Sequence, residues 1–203
     1  SFERTLPESP GVPSVQHIAM PVRATTPRQR VGDSPVVPAG SVEPVQREAV
    51  DFQSLAAQAS AVEVQMREMQ TVSGDEVIFT KGMSDCTSLA LCTDFDAATG
   101  HYGKRSLIHI VGSNIQYGGA SDQLFDMLDM AKQSTGRPLL IIATGTNMSA
   151  DSFVDYCLPV SVPGPDGANR QPLAELAGLC RTRVVERVMD IAVCPDGSIG
   201  IRS

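Results

Sequence analysis

The chain has 203 residues, a net charge of −7 and a pI near 4.9. That length suits one compact domain with added segments, and no apolar run approaches the ~18 residues of a membrane span. The acidic balance argues against nucleic acid and acidic membrane surfaces as partners, since both call for a basic face.

Residues 1–45 carry eight of the 14 prolines and keep no period of 2 or 3.6, which predicts an irregular arm or linker. Over 46–71 the residues Phe52, Leu55, Ala59, Val62, Met66 and Met69 recur at steps of three and four. That spacing predicts an amphipathic helix. Residues 72–203 read as α+β. The expected architecture is a compact, sandwich-like, largely antiparallel sheet with flanking helices.

Within that unit, 76–80 reads as a short strand and 81–86 as a loop that delivers Cys86 to the next element. Strands over 87–95 and 105–111 join as a hairpin, with Gly100 available for a positive φ. A helix is expected over 121–133 with Ser121 as its cap, then a buried strand over 138–143. Short helices follow over 151–158 and 172–179. The chain closes on a hairpin, 188–193 and 198–201, around a Pro-Asp-Gly turn. Trp is absent and aromatics are 4%, so aliphatic residues, Met and Ala must build the core.

The five cysteines, Cys86, Cys92, Cys157, Cys180 and Cys194, are odd in number and form no C-x-x-C pair. Reduced thiols fit better than a disulfide framework or a zinc site, and no metal is expected. One thiol can be a nucleophile while the rest fill the core; Cys92 reads as such a filler. A nucleophilic cysteine needs an imidazole beside it, and the histidines are His17, His101 and His109. His17 lies in the proline-rich arm. His101 sits at the hairpin turn, roughly 35 Å along the strand from Cys86. His109 lies about as far from the turn as Cys86, on the opposite strand, which makes the two direct or diagonal neighbours if the register allows. A slip of one residue would put them on opposite faces, and a core cysteine beside a strand histidine stays the ordinary alternative.

The loop Met83-Ser84-Asp85-Cys86 resembles the Leu-Ser-Gly-Cys signature of the cytotoxic necrotizing factor and Burkholderia lethal factor toxins. It also resembles the Leu-Gly-Ser-Cys loop of the chemotaxis deamidase CheD. Thr80 stands six residues before the cysteine, as a threonine does in CheD and the lethal factor. The order of elements over 72–203 is similar to CheD as well. Two departures stand out. Asp85 replaces a small Gly or Ser and brings a negative charge beside the thiolate. Arg105-Ser106-Leu107-Ile108 replaces the Gly-Gly-Met before the histidine, which favours the toxin and effector branch.

The resemblance implies a protein-glutamine deamidase with Cys86 as nucleophile, His109 as base and Thr80 as its orienting group. Backbone N–H groups around Ser84, Asp85 and Cys86 would hold the oxyanion, and no cofactor is needed. Ser113 and Asn114, just past the histidine strand, are expected to line the pocket, and Thr144-Gly145-Thr146-Asn147 to shape its mouth. The implied partner is a target protein with an exposed glutamine, such as a small GTPase or translation factor. The implied setting is a secreted bacterial effector acting in host cytoplasm, with bacterial cytoplasm as the alternative. Two further readings stay open: a thiol peptidase or transglutaminase using the same pair, and a non-catalytic binding module on the same scaffold.

Overall fold

The structure is a computed structural model that describes residues 32–33, 51–116 and 119–203. Its strands are β1 (Gly32–Asp33), β2 (Val62–Glu63), β3 (Met69–Ser73), β4 (Ile78–Thr80), β5 (Cys86–Asp96), β6 (His101–Val111), β7 (Leu139–Thr144), β8 (Val162–Pro163), β9 (Asn169–Arg170), β10 (Arg181–Val185), β11 (Asp190–Val193) and β12 (Ile199–Arg202). Its helices are α1 (Phe52–Ala56), α2 (Ala120–Lys132), α3 (Ala150–Cys157) and α4 (Pro172–Leu179).

The fold is α+β with two mixed sheets. The larger has the order β1-β10-β7-β5-β6-β3, the smaller β12-β11-β4-β2, and β8-β9 form a ribbon. All pairings are antiparallel except β10 with β7 and β2 with β4. Strand alternation sorts the side chains into layers. Leu89, Leu91, Ile108 and Ile110 face α2, α3 and α4 in one core. Ala90, Cys92, Leu107 and Ile141 face Ile78, Ile191 and Val193 of the smaller sheet in a second. Phe52 and Leu55 of α1 pack on Val77, Phe79 and Ala192 at the outer side of that sheet. Both faces of β5 are therefore covered, and it runs buried from Cys86 to Thr93.

The β5–β6 hairpin forms as expected, with Gly100 at φ 77°. The helices over 150–157 and 172–179 and the closing hairpin also follow the pattern read from the sequence. Strands β2, β3, β8, β9 and β10 were not anticipated.

The helix expected over 46–71 is corrected. Only Phe52–Ala56 is helical among the described residues, capped by Asp51, whose carboxylate accepts from Ser54 N. Beyond it the β-branched Val62 and Val64 donate their N–H groups to the Val77 and Phe79 carbonyls at 2.8 Å each. Arg67, at φ 74°, then turns the chain into β3. The three-and-four spacing was real, but sheet pairing satisfied the same residues better. The expected boundary at 71/72 accordingly falls inside β3. Helix α2 starts on Gly119, at φ 82°, with no side-chain cap, so Ser121 lies inside the helix rather than capping it. The arm expected over 1–45 lies outside the described residues, save Gly32–Asp33, whose backbone pairs with Val184 and Arg183.

Candidate active site

The site begins where β4 hands over to β5. Gly82, at φ 72°, turns the chain, and its N–H donates to the buried Asp190 carboxylate at 3.0 Å. Met83 N donates to Met189 O at 2.9 Å, and Cys86 N returns to Met83 O at 3.1 Å. The loop after β7 holds the other side. Gly145 N donates to Cys86 O and Asn147 N to Ser84 O, both at 2.9 Å. The Asn147 side-chain amide donates to Asp85 Oδ1 at 2.9 Å. A Cβ at position 145 would lie 1.4 Å from Met83 O, so only glycine lets the two loops close.

Cys86 is the first residue of β5, 6% exposed, and faces the space between the sheets. The register pairs Cys86 with Val111 and Ser88 with His109. Cys86 and His109 are thus diagonal neighbours on one face, ordinarily about 7 Å apart along the backbone. His109 directs its own N–H and C=O away from β5, to Glu68 O and from Arg67 N. The Ser88–His109 pair is therefore of the non-hydrogen-bonded kind, in which side chains stand closest.

The imidazole is 1% exposed, and its Nδ1 lies 2.7 Å from Thr80 Oγ1. The Thr80 hydroxyl also lies 2.6 Å from Val64 O, a carbonyl that can only accept. Its single proton goes there, so its lone pair must accept from His109 Nδ1–H. That assigns the tautomer: Nε2 carries the lone pair. Nε2 is buried and has no hydrogen-bond partner among the described residues. Burial also pushes the His109 pKa below its ordinary value, which keeps the ring neutral. A general base needs its nitrogen within hydrogen-bond reach of the thiol; here Nε2 is bare and shares a sheet face with Cys86, and the two make no hydrogen bond in this structure.

The remaining thiols differ. None of the five cysteines is in a disulfide. Burial pushes Cys92, Cys157 and Cys180 up to about 12, which leaves them protonated and unreactive at neutral pH. Cys92 is core, as expected. His101 is exposed at the hairpin turn beside Asp96, and His17 lies outside the described residues. Among the described residues no cluster of three or more His, Cys, Asp or Glu is placed to hold a metal ion. Asp96 serves the hairpin turn, accepting from Ala98 N, while Asp94 accepts from Thr135 N and ties β5 to the loop after α2.

Of the other expected site residues, Asn114 lines a cleft of about 160 Å³ with His109, Val111, Gln123 and Arg67. Ser113 does not line it; its carbonyl accepts from Cys157 Sγ at 3.3 Å and ties the loop to α3. The Cys86 N–H, expected among the oxyanion donors, is engaged by Met83 O. The Ser84 and Asp85 N–H groups enter none of these bonds. Asp85 is exposed, and its carboxylate is turned to Asn147. Sequence reasoning missed Val64, which fixes the Thr80 proton, and Asp190, which holds Gly82. Nothing local marks either: Asp190 meets Gly82 across 108 residues. Neither the protein-family models nor the curated proteins include a match to this chain.

Proposed function

We propose that this protein is a thiol-dependent deamidase that converts a glutamine side chain on a target protein to glutamate. The observation that carries the reading is the relay Val64 O, Thr80, His109, which leaves Nε2 unprotonated on the face that holds Cys86. The likeness of the Thr-x5-Cys loop and the strand histidine to CheD and the necrotizing-factor toxins narrows thiol chemistry to side-chain amides. A CheD-like identity, and a secreted effector role in a host cell, belong to the same proposal.

Nε2 takes the Cys86 proton, and the thiolate adds to the glutamine Cδ. The oxyanion that forms needs fixed donors, a role assigned here to the Ser84 and Asp85 N–H groups, which the loop's own hydrogen bonds leave unengaged. The imidazolium gives its proton to the departing nitrogen, releasing ammonia and leaving a thioester on Sγ. Water then adds to the thioester with Nε2 as base, releasing glutamate and restoring the thiol.

The test is mass spectrometry of candidate targets incubated with wild type, Cys86→Ser and His109→Ala. We expect a gain of about one dalton at one glutamine with wild type, absent with both variants. Cleavage or crosslinking instead would keep the pair and change the reaction. No modification of any target, with Cys86 inert to iodoacetamide, would remove the enzyme reading altogether.

A further inference from the structure

Strand β12 reaches the loop before Cys86 by two routes. Arg202 on β12 is the direct cross-strand partner of Asp190 on β11. Its Nε donates to Asp190 Oδ2 at 2.5 Å, and Asp190 Oδ1 accepts from Gly82 N at 3.0 Å. Through the backbone, Met189 N donates to Arg202 O at 2.7 Å, and Met83 N donates to Met189 O at 2.9 Å. Cys86 N then donates to Met83 O. Arg202 is thus tied to Gly82 by its side chain and to Met83 by its backbone.

That loop sets a distance. Thr80, two residues before Gly82, orients His109 and is held in β4 by its pairing with Ile191, the neighbour of Asp190. Cys86, four residues after Gly82, opens β5. The turn at Gly82, at φ 72°, stands between them and governs where the thiol falls relative to the imidazole. The pair that holds this turn is unequal in exposure: the Asp190 side chain is 1% exposed and that of Arg202 is 53% exposed. An exposed ion pair carries little, but a buried carboxylate is costly unless its oxygens are engaged. Arg202 is the one ion-pair partner of Asp190 among the described residues. Without the guanidinium the carboxylate must turn toward water to satisfy Oδ2, and its hold on the Gly82 N–H weakens.

We propose that Arg202 and Asp190 form a latch that positions the Cys86 loop: the ion pair between β12 and β11 keeps Gly82 in place and the thiol in register with His109. This deepens the deamidase reading and rests on it for what the positioned thiol does. Arg202 and Asp190 are positioning residues here, not catalytic ones.

The test uses the full chain with Arg202→Ala, Arg202→Lys and, as a control on the same strand, Ile199→Ala. Ile199 packs on the second core and pairs with Val193, away from the loop. Amide hydrogen exchange over 82–86, read by peptide mass spectrometry, reports the latch whether or not the protein turns over a substrate. We expect Arg202→Ala to speed exchange there about tenfold relative to the rest of the fold, the weight of one hydrogen bond to a charged group. Arg202→Lys should stay close to wild type, and Ile199→Ala should not single out 82–86. Alkylation of Cys86 by iodoacetamide then asks whether the latch serves the thiol. Arg202→Ala should slow it about tenfold, and should have little effect once His109→Ala is present, because the pair it positions is gone. Unchanged exchange over 82–86 in Arg202→Ala, or the same local change in Ile199→Ala, would overturn the proposal. So would faster alkylation in Arg202→Ala, or equal slowing with and without His109. A wild-type Cys86 inert to iodoacetamide, with the exchange difference intact, would keep the latch and remove the deamidase reading.

Discussion

Thr80 has one hydroxyl proton, and the Val64 carbonyl takes it, so the threonine reaches His109 as an acceptor. Thr80→Val removes that acceptor and leaves the buried Nδ1–H without a partner, so the ring can take either tautomer. We expect deamidation, or Cys86 alkylation where no target is in hand, to fall by about ten- to a hundredfold in Thr80→Val. Thr80→Ser should retain most of the rate. The same burial gives a pH signature. A histidine whose folded pKa is depressed binds fewer protons folded than unfolded. Its contribution to stability is whole above the ordinary pKa of about 6.5 and is lost as pH falls from there toward the folded value. Denaturant titrations at pH 7.5 and pH 5 should show wild type losing more stability on acidification than His109→Gln. Equal losses in the two proteins would mean the ring is not buried neutral.

At the scale of elements, the loop that carries Cys86 is clasped between the end of β7 and the start of β11. Gly145→Ala cannot be accommodated without moving Met83 and Ser84, because backbone rather than a flexible side chain stands in the way. We expect it to cost about 1–3 kcal/mol or more, and to abolish selective alkylation of Cys86 even in the fraction that stays folded. Asn147→Ala removes one exposed hydrogen bond to Asp85 and should be far milder. The hairpin that carries Cys86 and His109 was legible in the sequence because its two apolar runs flank a turn and bury both faces. The clasp was not, because a loop glycine that meets a distant backbone looks like any turn glycine. The stretch over 46–71 misled for a related reason. Phe52, Leu55, Val62 and Met69 meet a helical spacing, while Val62 and Val64 also alternate, and only the carbonyls of Val77 and Phe79 decide between the two.

Across the whole molecule the layers are interdependent. Helix α1 was expected to belong to a segment apart from the catalytic unit, yet Phe52 and Leu55 form a core with Val77 and with Phe79 and Ala192 on the strands that carry Thr80 and Asp190. Phe52 also stacks edge-on against Phe79, with ring centroids 5.9 Å apart. Phe52→Ala should therefore destabilise the whole fold by about 3–5 kcal/mol. Urea unfolding should remain a single transition that takes the His109 environment with it. Two separate transitions would restore the boundary near residue 71.

The bonds from Gly82 to Asp190 and from Met83 to Met189 have a consequence for the life of the chain. Cys86 leaves the ribosome about a hundred residues before the groups that shape its loop do. Until the final hairpin arrives, the thiol sits on a loop without its anchors. The loop around Cys86 thus takes its ordered form only after β11 has been made, about a hundred residues later.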